Sequence, residues 1–379
     1  MMREEYPLRI ERARALMQEQ GLDALFLCTG PNLMYFTGMP CGRSGSRPFA
    51  YLLPRRGEPL LIVHQARQRE ARRCTEVADV RTYSRLSHLP IQEVRRGLEE
   101  HGLQQGRLAA ELGGEMAMDI PFADFAALQE ALPGAQWVDA SPLLWKLRML
   151  KSKVEVACLE RACQITSEAY AWTYAQVRQG MSEAQIQGLM LGRMIALGGS
   201  SPWVTITSGK GHYDLVSKGP ADRRVERGDL VWMDGGCAVE GYWSDFDRAG
   251  VVGGPTAEQE EAQRIVHQIT WMGVEMMRPG VPVAEIASRC NQAIKALGFS
   301  ITSDISGLAG RVGHGIGLLV TELPSLSEED QTVVEAGMVL TIEPGVATQY
   351  GTFHIEENVL VTHEGPRALS TAQRELWTI

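Results

Sequence analysis

With 379 residues, 44% of them apolar and 22% charged, the chain has an ordinary globular composition and enough length for two cores. A net charge of −9 argues against the cationic face that nucleic-acid binding requires. No apolar run approaches the length of a bilayer span, and the charged opening MMREEYPLRIERAR contains no secretory core, so no membrane partner is expected. Seven cysteines, an odd number with no C-x-x-C pair, read as buried thiols in a reducing compartment, and a cytoplasmic protein is expected.

Along residues 1–150, helical and strand patterns alternate. Leu8, Ile10, Ala13, Leu16 and Met17 recur at helical spacing, and short apolar runs predict strands over Ala24–Cys28, Ala50–Leu53 and Leu60–Val63. Helices are predicted near Ile91–His101 and Phe122–Leu132, flanking a strand over Arg107–Leu112. This pattern describes an α/β layered domain. It has few clustered polar residues, so its expected role is to support or cover a site elsewhere.

At RMLKSKVE, within Leu147–Val154, the sequence turns basic and a long helix begins, which places a domain boundary near residue 150 and a second domain over 151–379. That second half contains an internal echo. Gly180-Met181-Ser182-Glu183-Ala184-Gln185-Ile186 matches Gly280-Val281-Pro282-Val283-Ala284-Glu285-Ile286, and both helices end in Ala-Leu-Gly. Each copy follows a long helix, about 154–179 and 256–278, and precedes strand-like segments. Two helix pairs backing a sheet, related by duplication, would form a pseudo-twofold domain with a site between its halves.

Five polar side chains in this half each end an apolar stretch: Asp234 in LVWMDGG, Asp245 in GYWSDFDR, His314 in VGHGIGL, Glu343 in VLTIEPG and Glu356 in TFHIEEN. Taken singly, each reads more simply as a turn or loop residue; five in series do not. Four carboxylates beside strand-like residues are costly to bury as free anions, and a pair of divalent cations would neutralise them. A donor set of hard oxygens with one imidazole suits Mn, Co, Fe or Zn in a two-metal site better than a thiolate zinc site. The odd separation of Asp234 and Asp245 in a simple strand pair suggests opposite faces, unless the glycine-rich link resets the phase. The glycines flanking His314 are expected to let backbone approach an ion, Pro344-Gly345 to end the strand at Glu343, and Glu356 to lie within a strand over Phe353–Val361.

The series D-x10-D, G-H-G-I-G, T-I-E-P-G and I-E-E-x-V-L-V-T resembles the creatinase/prolidase/aminopeptidase P superfamily, the M24 metallopeptidase-like proteins. The stretch Arg9–Gly38 resembles the start of that family's N-terminal domain, and LKSKVEVACLERACQI its interdomain helix. The resemblance implies a creatinase-like α/β N-terminal domain and an α+β pita-bread catalytic domain. It implies that Asp234 chelates one metal, Asp245 and Glu356 bridge, and His314 and Glu343 hold the second. Two adjacent cations would give a bridging hydroxide near neutral pH, with Glu343 as proton shuttle.

Three outer histidines of Xaa-Pro peptidases are missing. Their positions hold Ser217, ahead of the Pro220-Ala221-Asp222-Arg223 turn, Gly310, and Thr321 of Thr321-Glu322-Leu323-Pro324. A hydroxyl still donates a hydrogen bond but carries no charge, and losing a charge-assisted donor commonly costs about 2–4 kcal/mol of transition-state stabilisation. His212 and His354 are the candidate replacements, His354 taking the place of an arginine that often precedes I-E in the family. Glu343, His354 and Thr321 are therefore the candidate catalytic residues, and His212, Ser217, Tyr213 and Trp243 the candidate substrate-binding residues. Trp203 is a further candidate for a pocket wall, and Asp247 either supports the metals or pairs with Arg248.

The function expected is a dinuclear-metal hydrolase that resembles Xaa-Pro dipeptidase or aminopeptidase P and cleaves a short peptide next to proline. The alternative is a C–N hydrolase of a small amide, as in creatinase- or ectoine-hydrolase-like relatives. A metal-bound module without catalysis is a third reading, opposed by the intact ligand series. Manganese is the expected metal, with Co, Zn or Fe as alternatives, and a homodimer is expected by analogy.

Overall fold

In a computed structural model, residues 2–40, 46–216 and 219–379 are described, and the chain divides into two compact units, Met1–Arg148 and Met149–Ile379.

The first unit is built on a six-stranded sheet. Its strands are β1 (Ala24–Leu27), β2 (Ala50–Pro54), β3 (Leu60–His64), β4 (Asp79–Tyr83), β5 (Arg107–Ala110) and β6 (Gln136–Asp139), in the order β4-β3-β2-β1-β5-β6. Strand β2 runs antiparallel to both β1 and β3, whereas β4, β5 and β6 join in parallel through helical crossovers. The helices are α1 (Met2–Gln20), α2 (Gly30–Thr37), α3 (Gln68–Cys74), α4 (Ile91–Glu100), α5 (Phe122–Ala131) and α6 (Ser141–Met149). Strands β1, β2 and β3 are buried along their whole length, which is why they read as continuous apolar runs rather than as alternation. One polar cluster interrupts this core: buried Glu111 accepts from the backbone of Cys28 and Thr29 and from the Asn32 amide.

The second unit repeats one motif. Helices α7 (Lys153–Gln176) and α8 (Glu183–Ala196) lead into β7 (Ser200–Ser208), β8 (Leu230–Val239), β9 (Tyr242–Trp243) and β10 (Phe246–Val251). Helices α9 (Ala257–Met276) and α10 (Val283–Lys295) lead through β11 (Ser303–Asp304) and α11 (Ile305–Ala309) into the second set. That set comprises β12 (His314–Gly315), β13 (Glu322–Ser325), β14 (Val339–Ile342), β15 (Gly345–Thr348), β16 (Gly351–His354), β17 (Glu357–Thr362) and β18 (Gly365–Ala368), and β19 (Trp377–Thr378) closes the chain.

Helices α7, α8 and α9 start on capping boxes, Ser152/Glu155, Ser182/Gln185 and Thr256/Gln259, each satisfying two backbone donors. Helix α10 starts at Pro282 without a side-chain cap, so the duplicated helix starts keep their place but not their chemistry. The strands form antiparallel ladders β10-β8-β7, β13-β12-β14-β17-β18 and β11-β15-β16. Leu230, Trp232, Ile269, Val274, Ile286, Leu340, Ile342 and Phe353 are among the residues of one buried cluster that holds the α9/α10 pair to these sheets.

Candidate metal centre

The first two candidate ligands are set by one hairpin. Strand β8 pairs with β9 as Val239↔Tyr242 and with β10 as Asp234↔Asp247, one unbroken register around the turn Glu240-Gly241. Both turn residues have positive φ, 50° and 82°, the backbone that a two-residue hairpin demands. In that register, residues on one face of the pair always differ by an odd number. Asp245 lies two residues before Asp247, so it shares a face with Asp234 and Asp247. The expectation of opposite faces is thus corrected: no bulge is needed to bring the aspartates together. The glycines serve a different purpose. A Cβ on Gly236 would stand 1.8 Å from the Ser244 carbonyl oxygen, and one on Gly235 2.5 Å from that of Trp203.

His314 is held by its own backbone. Its Nδ1 lies 2.9 Å from the Gly315 carbonyl, which can only accept, so Nδ1 carries the proton and Nε2 offers its lone pair. Nε2 stands 3.4 Å from Asp245, 3.5 Å from Glu343 and 3.9 Å from Glu356. The flanking glycines make room for neighbouring strands. A Cβ on Gly313 would meet the Thr341 carbonyl oxygen at 2.3 Å, and one on Gly315 that of Leu323 at 2.3 Å.

Glu343 and Glu356 both occupy breaks between strands. Glu343 follows β14, where Pro344 ends the strand, and its N–H donates to the Val312 carbonyl at 2.7 Å. Glu356 lies between β16 and β17, which belong to different sheets, so the continuous strand expected over Phe353–Val361 is in fact two. The break turns Glu356 away from a ladder, and its N–H donates to Asp247 Oδ1 at 3.0 Å. The other oxygen of Asp247 hydrogen-bonds His354 Nδ1, leaving His354 Nε2 3.7 Å from Glu343. A Cβ on Gly345 would lie 2.1 Å from the His354 ring, so this glycine of the Glu-Pro-Gly motif is the space into which the imidazole packs. Asp247 thus supports the ligands, while Arg248 pairs with Glu357 at 2.7 Å.

All five candidate ligands therefore meet in one place. Ligand atoms of Asp245, His314 and Glu356 lie within 4.8 Å of one another, Glu343 stands against His314, and the Asp234 carboxyl lies beside that of Asp245. Asp234 Oδ1, Asp245 Oδ1 and Glu356 Oε1 are buried without a hydrogen-bond partner. Burial, with the neighbouring Asp247 charge, pushes Asp234 up to about 8. Burial and the Asp234 and Glu343 charges hold Asp245 well above the usual carboxylate range, against the pull of Arg311. Glu356 is raised by burial and by Asp245. Such anions need cations. Buried oxygens without donors around one imidazole lone pair fit hard or borderline divalent metals, and no cysteine belongs to this cluster. Burial works against protonation of His354, but the Asp247 charge and hydrogen bond raise it to about 9 in the metal-free protein.

The outer candidates fare differently. Thr321 is half-buried and accepts a 3.4 Å contact from Arg311. Tyr213 is a core residue, 5% exposed, whose hydroxyl accepts from the Leu230 N–H, so the expected substrate wall is not there. Trp243 donates from its indole to the Leu318 carbonyl, bracing the segment after His314. Trp203 is partly buried on β7, with its indole nitrogen enclosed and without a partner. His212 is exposed in a turn closed by its N–H to Gly209. Ser217 lies outside the described residues.

Three supporting residues lie outside the motifs singled out in the sequence. Asn358 fixes the Asp245 backbone from both sides, accepting its N–H at 3.0 Å and donating to its carbonyl. Tyr170, buried on α7, places its hydroxyl 3.0 Å from the Met233 carbonyl and 2.8 Å from that of Phe246, tying the two aspartate strands together. Thr341 accepts the His314 N–H at 3.1 Å. Strand alternation in β14 and β17 could have marked Thr341 and Asn358 as polar residues in apolar runs.

The family model of metallopeptidase family M24 matches residues 157–363, and that of the creatinase/prolidase N-terminal domain matches residues 9–150. A Xaa-Pro dipeptidase of Pyrococcus furiosus is 28% identical over 97% of this chain and 99% of its own length. Among solved structures, a Xaa-Pro dipeptidase from Bacillus anthracis superposes with a TM-score of 0.85 at 26% identity, covering 99% of this chain and 100% of that one. The prolidase from Pyrococcus horikoshii OT3 does so with a TM-score of 0.82 at 25% identity, covering 97% and 99%.

Proposed function

Because the chain belongs to metallopeptidase family M24, and is a metal-dependent hydrolase, we propose that it cleaves short peptides at the bond preceding proline. The observation that carries this reading is the convergence of Asp234, Asp245, His314, Glu343 and Glu356, with buried oxygens that lack any other partner. The similar proteins named above are Xaa-Pro dipeptidases and a prolidase, which favours a peptide over the small-amide alternative.

Asp234 would hold one ion, His314 and Glu343 the other, and Asp245 and Glu356 would be shared; His314 faces the shared pair while Asp234 meets Asp245. Two divalent cations, when bound, supply the charge that polarises the scissile carbonyl and acidifies water. Glu343 carries the proton. Its side chain is 21% exposed against 6% for Asp245 and 2% for Glu356, so of the three carboxylates around His314 it is the one that reaches both the centre and the substrate side. It takes a proton from the attacking water and returns it to the leaving nitrogen. His354, fixed through Nδ1 to Asp247, presents a charged Nε2–H beside Glu343, and we assign it to the oxyanion. A cation at residue 354 compensates in part for the absent outer histidines.

Manganese is the metal proposed, because the donors are mostly hard oxygens, with Co, Zn or Fe as alternatives. A cytoplasmic location is supported by free cysteines, of which Cys28, Cys163, Cys237 and Cys290 are buried, and no helix among the described residues is long and apolar enough to cross a membrane. The homodimer rests on the family analogy.

The test is turnover by chelator-stripped protein reloaded with manganese or cobalt, across Xaa-Pro dipeptides, dipeptides lacking proline, and small amides. Cleavage of Xaa-Pro substrates that vanishes on stripping and returns with metal is the expected result. Metal-loaded protein that is inert to peptides but hydrolyses small amides would overturn the reading.

A further inference from the structure

Five arginines of the second unit are not exposed among the described residues: Arg193, Arg223, Arg248, Arg311 and Arg374. Four of them hold a carboxylate. Arg193 pairs with Glu168, Arg223 with Asp229 at 2.7 Å, and both Arg248 and Arg374 with Glu357, at 2.7 and 2.8 Å. Arg311 is the exception. Its guanidinium touches the Thr321 hydroxyl at 3.4 Å, a weak contact for a half-buried cation.

Its location is closely constrained. Gly310, at φ 74°, ends α11 and releases the chain into Arg311. The next residue, Val312, donates to the Leu326 carbonyl at 2.9 Å and accepts the Glu343 N–H at 2.7 Å. The arginine therefore springs from backbone tied directly to Glu343, three residues before His314, and its charge acts on Asp245. A half-buried guanidinium with no ion pair within 4.0 Å among the described residues, yet close enough for its charge to act on Asp245, suits a carboxylate ligand, since its planar fork matches two carboxylate oxygens.

Building on the peptidase reading, we propose that Arg311, backed by Thr321, binds the C-terminal carboxylate of the substrate and thereby selects dipeptides over longer or blocked peptides. The leaving residue of a dipeptide carries its carboxylate close to the scissile bond, whereas in a longer peptide that group is further along the chain. Arg311 is thus a specificity-determining residue, and the Thr321 hydroxyl holds the guanidinium in the orientation that receives the anion.

The experiment compares wild-type, Arg311→Ala and Arg311→Lys protein, each metal-loaded and checked for equal metal content, on an Xaa-Pro dipeptide and its C-terminal amide. Arg311→Ala should raise KM for the dipeptide about 10- to 100-fold, with kcat within roughly threefold, while leaving the amide unchanged; Arg311→Lys should recover part of the loss. Equal losses on acid and amide, or none on either, would overturn the proposal. Calorimetric binding of proline and prolinamide provides a second readout. Wild-type protein should prefer the acid by a margin that Arg311→Ala loses, and a margin that survives the substitution also counts against Arg311. If the wild type cleaves no Xaa-Pro peptide, the peptidase reading fails, and the two binding constants alone decide whether Arg311 is a carboxylate receptor.

Discussion

The two halves of the second unit position the candidate ligands by opposite means. In the first half, Asp234 and Asp245 owe their meeting to an intact ladder: one register, a two-residue turn at Glu240-Gly241, and a shared face. In the second half, His314, Glu343 and Glu356 lie at a two-residue strand or in the gaps where strands stop. Regular pairing holds two anions together with little freedom, whereas a two-residue strand and two strand breaks supply the other three candidate ligands. The lesson is that duplication of helices and sheets fixes where the halves face each other, while each half solves ligand placement separately.

The largest expected effect tests the ladder half. Asp245→Asn leaves the hydrogen bonds between the residue 245 backbone and Asn358 available but replaces a shared anion with a neutral amide. Metal content should fall, and kcat/KM should drop by about 10³-fold or more, beyond the loss typical of one oxyanion donor. Metal analysis and kinetics on the same sample check this. Retained turnover would end the shared-ligand role of Asp245.

How far the sequence revealed this centre follows from the same contrast. All five candidate ligands were legible because each ends an apolar run, and burial of an anion there needs a reason. The geometry around them was less so. Parity looked unfavourable for Asp234 and Asp245 because strand alternation was applied along one chain, whereas antiparallel partners share a face across the pair. The break at Ile355-Glu356 was hidden because FHIEENVLV reads as one strand, with no proline or glycine at the gap. Tyr213 looked like a pocket wall, yet an aromatic beside a charged loop packs equally well into a core once its hydroxyl finds the Leu230 N–H. Asn358, Tyr170 and Arg311 were silent because their roles depend on partners 10 to 113 residues away.

Two glycines sharpen the comparison at intermediate size. Gly236 lets backbone pass backbone in the ladder half, so in Gly236→Ala the strand bearing Ser244 and Asp245 must separate, because a carbonyl cannot rotate away. Gly345 lets backbone approach a side chain, so in Gly345→Ala the His354 ring, and to a smaller extent its Cβ at 2.9 Å, must move. Gly236→Ala should therefore lose metal as well as activity. Gly345→Ala should keep its metal and lose about 10- to 100-fold in kcat/KM, the usual size for a displaced supporting residue. Equal metal content in the two variants would show that the halves do not differ in this way.

The smallest expected effect is thermodynamic and concerns both halves at once. Without metal, burial and mutual repulsion raise Asp234 to about 8, and raise Asp245 and Glu356 as well, so the folded chain binds protons more tightly than the unfolded one. A raised carboxyl contributes stability fully below its unfolded value, and that contribution is lost as pH climbs through the folded value. Stripped protein should accordingly lose stability from about pH 4 to about pH 8, each kcal/mol lowering Tm by roughly 2–4 °C in a unit of this size. Metal-bound ligands are already deprotonated in the folded state, so they escape this loss, and binding itself strengthens as pH rises. The Tm gap between metal-loaded and stripped protein should then widen by several degrees between about pH 6 and about pH 8.5. In Asp234→Asn one titrating anion is gone, and the stripped protein should decline less steeply over the same interval. A gap that stays constant or narrows with pH would mean that the carboxylates of the ladder and of the strand breaks are not competing for the same protons, and so do not share one electrostatic site.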